Sequence, residues 1–376
     1  MDLKGPSLSD DAIDLFRSML NLYSPPGREE RIARLLAARM NKLGFDNVRL
    51  DPTGNVLGEV GLGSPTVLLC GHLDTVPGRM KVRSDGVRIW GRGAVDAKAS
   101  LAALLMAASA FTSKSIDGRV VVAGVVEEEG SSSGVRGLIE SGLRVDYAIF
   151  GEPSGIGNIT IGYKGHILLR LVCKTPSVHA SAPWIGCNSI ERAYEISKAI
   201  ESHPFEGEKD SDPYRSVSSS ITKISAGNAT NVIPGLCEAF LDVRVPPTTT
   251  CDRVLGEIEN VITNYRAAFP SLEVEWRVED KIEPFETDPH SLPVRALSSA
   301  IWGVLGRRPT LMRKTGTGDM NILGKALGVP MVTYGPGDSK LSHTSEEYVE
   351  ISEYLSSIDV IKRALGDTIR LHRASV

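Results

Sequence analysis

The chain has 376 residues, 41% hydrophobic and 23% charged, with a net charge of −4. Those values are ordinary for a globular protein with a large core and one to three domains. The slight acidity gives no electrostatic case for a nucleic-acid partner. The longest apolar run, LAALLMAASAF at 101–111, is too short to span a bilayer. MDLKGPSLSDDAIDLF at the start has no basic-then-apolar leader pattern, so no membrane partner is expected and a cytoplasmic location is. The five cysteines, Cys70, Cys173, Cys187, Cys237 and Cys251, are odd in number and none forms CxxC, which argues against a disulfide framework or a cysteine zinc site.

Along the chain, a helix is expected near Asp10 and another through REERIARLLAARMNKLG, stopped by Gly44. The β-branched runs TVLLC, VVVAGVV and YAIFG read as buried strands, with an Ala/Leu-rich helix after Asp96. This βαβ rhythm predicts a mostly parallel, helix-covered sheet. From about His166 the order changes. HILLRLVCK, NSIERAYEISKAIES, SSSITKISA, LCEAFLDVRV, RVLGEIENVITNYRAAF and LEVEWRV read as β-α-β-β-α-β, the order of a ferredoxin-like sandwich. Asn188 and Glu191 are spaced as a capping box. The α/β fold therefore divides into a first part (1–165), an inserted α+β domain (166–279) and a second part (280–376).

Polar residues at strand ends mark where α/β folds place their chemistry. His72 and Asp74 follow the first run, Glu127, Glu128 and Glu129 the second, and Glu152 the third; Asp96 sits in a glycine-rich turn and His343 before the C-terminal helix. On a strand, His72 and Asp74 would share a face. His72, Asp96, Glu129, Glu152 and His343, with Asp74 and Glu128 beside them, suit Zn²⁺, Co²⁺ or Mn²⁺. An aspartate between two cations would bridge them at roughly 3.5–4 Å. Against this, Asp96 is also placed as a helix N-cap, and the three glutamates as a solvated loop.

GHLDTVPG, GRGAVDAKA, EEEGSSSG, GEPSG, PSVHAS, NVIP and SHTSEEYV occur in the order and at the spacing of the metallopeptidase M20 group, which the chain resembles from about Leu20 to the C-terminal helix. The resemblance implies a catalytic domain interrupted by a lid or dimerisation domain, a homodimer, and two divalent ions, Zn²⁺ and/or Co²⁺. It implies His72, Asp96, Glu129, Glu152 and His343 as metal ligands, with Asp96 as the bridging carboxylate and a peptide at this point that is sometimes cis. It makes Asp74 the acceptor that orients the ligating imidazole and Glu128 the general base. His179 becomes an oxyanion donor reaching the partner subunit's site. Asn231 and Arg244 match substrate-contacting positions, and Lys164, Arg313, Lys314, Thr315 and Asp319 are weaker matches of that kind.

The implied reaction is metal-assisted amide hydrolysis. RKTGTGDMN and the segment through SHTSEEYVEI most resemble the branch that releases lysine or ornithine from the γ-carboxyl of a carrier's C-terminal glutamate. An amino-group carrier protein is then the expected partner, in lysine or arginine biosynthesis. Acetylornithine deacetylase and succinyl-diaminopimelate desuccinylase activities are the alternatives. A non-catalytic regulatory or metal-binding homologue is the reading from a different class, and the filled set of base and ligand positions argues against it.

Overall fold

The computed structural model describes residues 8–111, 116–206 and 212–375, which form two compact units. The first takes in the described residues up to Ile161, then Thr287–Met312, then those from Ile322 onward. The second takes in the described part of Gly162–Glu286 together with Arg313–Asn321. It is thus longer at both ends than the 166–279 segment read from the sequence. Arg313–Asn321 belongs with it because the Lys164 carbonyl accepts hydrogen bonds from Thr317 Oγ1 (3.0 Å) and Asn321 Nδ2 (3.1 Å). No local pattern reports such a tie.

In the first unit, Thr66–His72 lies between Arg119–Val125 and Tyr147–Phe150, parallel to both, and Met331–Thr333 extends the parallel set. The flanks are antiparallel: Asp46–Leu50 with Val56–Gly61, Val56–Gly61 with Arg119–Val125, and Met331–Thr333 with Asn158–Tyr163. The sheet is therefore mixed, with the expected parallel order confined to its centre. The hairpin at 46–61 turns on Asp51, whose carboxylate accepts the amides of Thr53, Gly54 and Asn55. Such an Asx turn favours an antiparallel return.

The helix Lys98–Ala108 is buried on every side, as a helix apolar nearly all round must be. It packs on the central strands and on the helices Leu8–Leu20 and Ile351–Ser375. Gly71 lets it come close: a Cβ there would lie 3.2 Å from Leu101 Cβ. Among the described residues no helix is long and apolar enough to cross a membrane.

The second unit has a four-stranded antiparallel sheet, in the order Ser218–Ala226, Leu236–Val245, Gly165–Lys174, Glu273–Ile282. That is the strand order of the split βαβ sandwich. Gly165–Lys174 alternates buried and half-buried residues, so one face packs on the helices Ser189–Glu201 and Cys251–Ala267. Asn188 does cap its helix, but its side chain accepts from Ile190 N (3.1 Å) while its amide group reaches Glu191 (3.2 Å). The reciprocal arm of a capping box, glutamate to the cap's own N–H, is replaced by this side-chain pair.

Candidate metal centre

The site forms where the parallel strands end. Thr66–His72 closes on His72 itself, so Asp74 lies beyond the strand and the same-face argument does not place it. Asp74 is fully buried. Its Oδ1 accepts the Glu128 amide (3.1 Å) and its Oδ2 the Glu129 amide (2.9 Å). These two bonds lock the loop after Arg119–Val125 to the loop after Thr66–His72. Burial alone would raise the Asp74 pKa, but His72 and the two amides hold it below the usual carboxylate range.

The Nδ1 of His72 lies 2.9 Å from the backbone carbonyl of Asp74 and 3.4 Å from its carboxylate. The closer acceptor is thus the carbonyl, the carboxylate being engaged by amides. Either acceptor keeps the proton on Nδ1 and leaves the Nε2 lone pair for a metal. Nε2 faces Asp96 Oδ1 at 3.2 Å and Glu152 Oε1 at 3.7 Å.

Asp96 precedes the helix Lys98–Ala108, whose cap position is Ala97 and has no side-chain cap bond. The N-cap reading of Asp96 therefore fails. The Asp96–Ala97 peptide is cis. The carboxylate is divided between two imidazoles, with Oδ1 toward His72 and Oδ2 3.3 Å from His343 Nε2. Burial opposes ionisation here, yet the two histidines hold the Asp96 pKa far below the ordinary value.

His343 Nε2 is also 2.7 Å from Glu129 Oε1. His343 takes a left-handed φ of 65°, a conformation costing about 1–3 kcal/mol outside glycine; the carboxylates on either side of its ring favour it. A short strand, Tyr348–Glu350, separates His343 from the C-terminal helix. Glu129 has its pKa raised, chiefly by burial. Glu127 turns elsewhere, accepting from the hydroxyls of Ser131 and Ser133. Gly134 allows the Glu127–Ser132 loop to fold back: a Cβ there would stand 2.5 Å from Val126 N and O.

Two three-ligand groups result, His72–Asp96–Glu152 and Asp96–Glu129–His343, each with its ligand atoms within 4.8 Å of one another. Asp96 is common to both. The donor set fits two divalent cations, since imidazole and carboxylate ligands suit them and a shared carboxylate offers one oxygen to each. With no cation, the same groups hold protons instead. Burial lowers the His72 pKa, but Glu152, Asp74 and Asp96 together push it well above 6.5. The Asp96 and Glu129 carboxylates raise His343 to about 9.

Glu347 was missed by sequence reasoning. It is 1% exposed. Its Oε1 accepts both the Val95 and Asp96 amides at 3.0 Å, and its Oε2 takes Arg92 Nη1 at 2.9 Å. The glutamate four residues after His343 therefore sets the backbone that presents Asp96. In sequence it differs in no way from its exposed neighbour Glu346. Glu347→Ala leaves two amides without an acceptor and the half-buried Arg92 guanidinium without its carboxylate, and is expected to cost about 3–5 kcal/mol of stability. Metal affinity should fall about 10–100-fold. Glu347→Gln, whose amide oxygen still accepts, should lose far less; equal losses in chemical unfolding and metal titration would show that the amide contacts are not what matters.

The remaining residues lie in the second unit. His179 is exposed, and its Nδ1 accepts from Ser181 N (3.2 Å) with Ser181 Oγ at 2.8 Å. That acceptor role puts the ring proton on Nε2. Val178–His179 pairs with Val232–Ile233, and the Asn231 carbonyl accepts from Ala180 N. The Arg244 guanidinium is forked onto Asp242 (2.6 and 2.8 Å) and reaches Thr317 Oγ1 (3.0 Å). Burial opposes it, but His166 and Arg244 hold the Asp242 pKa down to about 2. Lys164 is fully buried, its ammonium donating to the Pro213 and Ser216 carbonyls, which is structural work. Arg313 is bound to Glu286 (2.6 Å). Lys314 Nζ lies 5.9 Å from the Tyr163 ring centre, and Asp319 opens the helix Asp319–Leu327.

A carboxylate shared between two histidine-bearing groups at the carboxyl ends of parallel strands fits a metal-dependent hydrolase. The chain belongs to peptidase family M20/M25/M40, whose pattern matches residues 68–367. A Pyrococcus abyssi protein, provisionally named a LysW-lysine/LysW-ornithine hydrolase, is 36% identical over 356 residues, covering 95% of this chain and 94% of its own. A Sulfurisphaera tokodaii protein named a LysW-lysine/LysW-ornithine hydrolase is 33% identical, covering 94% of both chains. A Deinococcus radiodurans LysW-lysine hydrolase is 32% identical, covering 94% of this chain and 96% of its own. In fold, the chain matches a Bacillus cereus aminopeptidase PepT with a TM-score of 0.80 at 21% identity, covering 96% of this chain and 99% of that one. It matches a Sulfolobus solfataricus M20 metallo-carboxypeptidase at 0.76 and 18%, covering 96% and 100%.

Proposed function

We propose that the protein hydrolyses the amide joining lysine, and also ornithine, to the terminal glutamate of an amino-group carrier protein. The observation that carries the catalytic half of this reading is Asp96, with one carboxylate oxygen 3.2 Å from His72 and the other 3.3 Å from His343. The carrier half is supported by the names of relatives that cover nearly all of the chain.

In this reading His72, Asp96 and Glu152 hold one cation and Asp96, Glu129 and His343 the other, Zn²⁺ or Co²⁺. The bound cations supply Lewis acidity, polarising the scissile carbonyl and acidifying water. Glu128, whose backbone is fixed on Asp74, takes the proton of the attacking water and returns it to the leaving amine. His179, reaching the site of a partner subunit, donates a hydrogen bond from Nε2–H to the oxyanion there. Arg244, preset by Asp242, keeps donors for a substrate carboxylate, and Asn231, Lys314 and Asp319 complete the substrate contacts. Two chains pair through the inserted 166–279 domain. In its support, the edge strand Ser218–Ala226 has, among the described residues, a neighbour on one side alone and exposes Ile224, an open edge of the kind that pairs with a second copy. A cytoplasmic location goes with a biosynthetic role.

The test is amino-acid release by the metal-loaded protein from carrier-linked lysine, carrier-linked ornithine, N-acetylornithine and succinyl-diaminopimelate. Carrier-linked substrates should be preferred in kcat/KM by at least about 100-fold, since removing remote binding energy costs rate as well as affinity. Preference for a small acyl substrate would move the chain to the deacylase branch with the same centre.

A further inference from the structure

The first unit holds a second concave, charged feature beside the metal centre. A cavity of about 400 Å³ is lined by Tyr23, Thr75, Arg79, Lys81, Arg92 and Lys98 with a few uncharged neighbours, and among the described residues no carboxylate lines it. Its size falls in the roughly 300–1,000 Å³ range of small-ligand sites.

The cations are unevenly committed. Lys98 is buried, and its Nζ donates to the carbonyls of Leu22 (2.7 Å) and Met19 (3.3 Å), using two of three donors. Arg92 spends Nε on the Gly78 carbonyl and Nη1 on Thr344 and Glu347. The Arg79 guanidinium lies 4.7 Å over the Tyr23 ring. Among the described residues no carboxylate pairs with Arg79 or Lys81. Thr75 is 1% exposed, and its Oγ1 has no hydrogen-bond partner. A buried hydroxyl without a partner calls for a ligand or water to complete it.

We propose that this cavity binds a compact oxyanion, phosphate or a small dicarboxylate. Arg79 and Lys81 supply charge at its exposed part, and the Thr75 hydroxyl with the third Lys98 N–H supplies donors at its buried part. Charge-assisted bonds of this kind are the strong ones. Thr75 directly follows Asp74, Lys98 is two residues past Asp96, and Arg92 is bonded to the Glu347 carboxylate that holds the Asp96 amide. An occupant therefore touches the segments that present the metal ligands.

The experiment is isothermal titration of the metal-loaded protein with inorganic phosphate and, separately, succinate, at constant ionic strength with chloride as the control. One saturable site is expected for at least one of the two, and which one binds identifies the source of the oxyanion. Affinity should fall about tenfold or more in Arg79→Gln and in Thr75→Val, each checked for folding by circular dichroism. Lys81→Gln, at an exposed position, supplies a variant that does not disturb the core. Heat matched by chloride, or phosphate and succinate binding undiminished in the folded variants, overturns the proposal; the latter places the anion on the metals or elsewhere.

Discussion

Glu128→Gln should give a folded protein that still takes up both metal ions and whose kcat is lower by about 10²–10⁴-fold or more. The glutamine keeps the backbone amide that binds Asp74 at 3.1 Å, so the loop geometry stays. It also keeps the side-chain volume. What it lacks is a basic oxygen to take the proton of water and return it to the amine. In the proposed centre the ligand from this loop is the next residue, Glu129, 2.7 Å from His343, so metal content should not change. The variant thus separates proton transfer from metal binding. Undiminished kcat, or loss of a metal, would show that the base and ligand roles are assigned to the wrong glutamates.

Chelation should abolish activity at pH 7 while leaving the far-UV circular dichroism unchanged. The reason lies in the protons that replace the cations. In the metal-free site both imidazoles titrate above 6.5, His343 at about 9, and each protonated ring has carboxylates beside it. A histidine whose folded pKa is raised contributes stability that is complete below its unfolded value and lost as pH rises through the folded value. The chelated protein should therefore lose stability from about pH 6.5 to about 9. Metal binding runs the other way, because cations bind the unprotonated ring and must displace these protons. Apparent affinity should climb up to about tenfold per pH unit for each proton displaced, then level off above about 9. The melting-temperature gap between loaded and chelated protein should widen over that window. Unfolding on chelation at pH 7 would instead make the metals structural.

The parts of this design legible in the sequence are those written in local pattern. TVLLC, VVVAGVV and YAIFG announce strands because β-branched runs bounded by turn residues suit a buried pleat, and the polar residues after them fall at the site. The alternation in the inserted domain, with its capped helices, announces a sandwich. What escaped depends on contacts between distant segments. Glu347 reads as one more acid beside Glu346, yet it is buried by the amides of Val95 and Asp96. Lys164 reads as an anion contact, yet three carbonyl and hydroxyl oxygens surround its ammonium. Asp74 was expected on the His72 face of a strand, but the strand ends first. The antiparallel hairpin at 46–61 depends on an Asx turn at Asp51 whose consequence is geometric, not compositional.

The central claim is that one carboxylate, Asp96, is shared by two cations. Anomalous diffraction from cobalt-loaded crystals measures this directly. Two peaks roughly 3.5–4 Å apart are predicted, one coordinated by His72, Asp96 and Glu152 and the other by Asp96, Glu129 and His343. A fully loaded crystal with a single peak, or with Asp96 bound to neither ion, would contradict it.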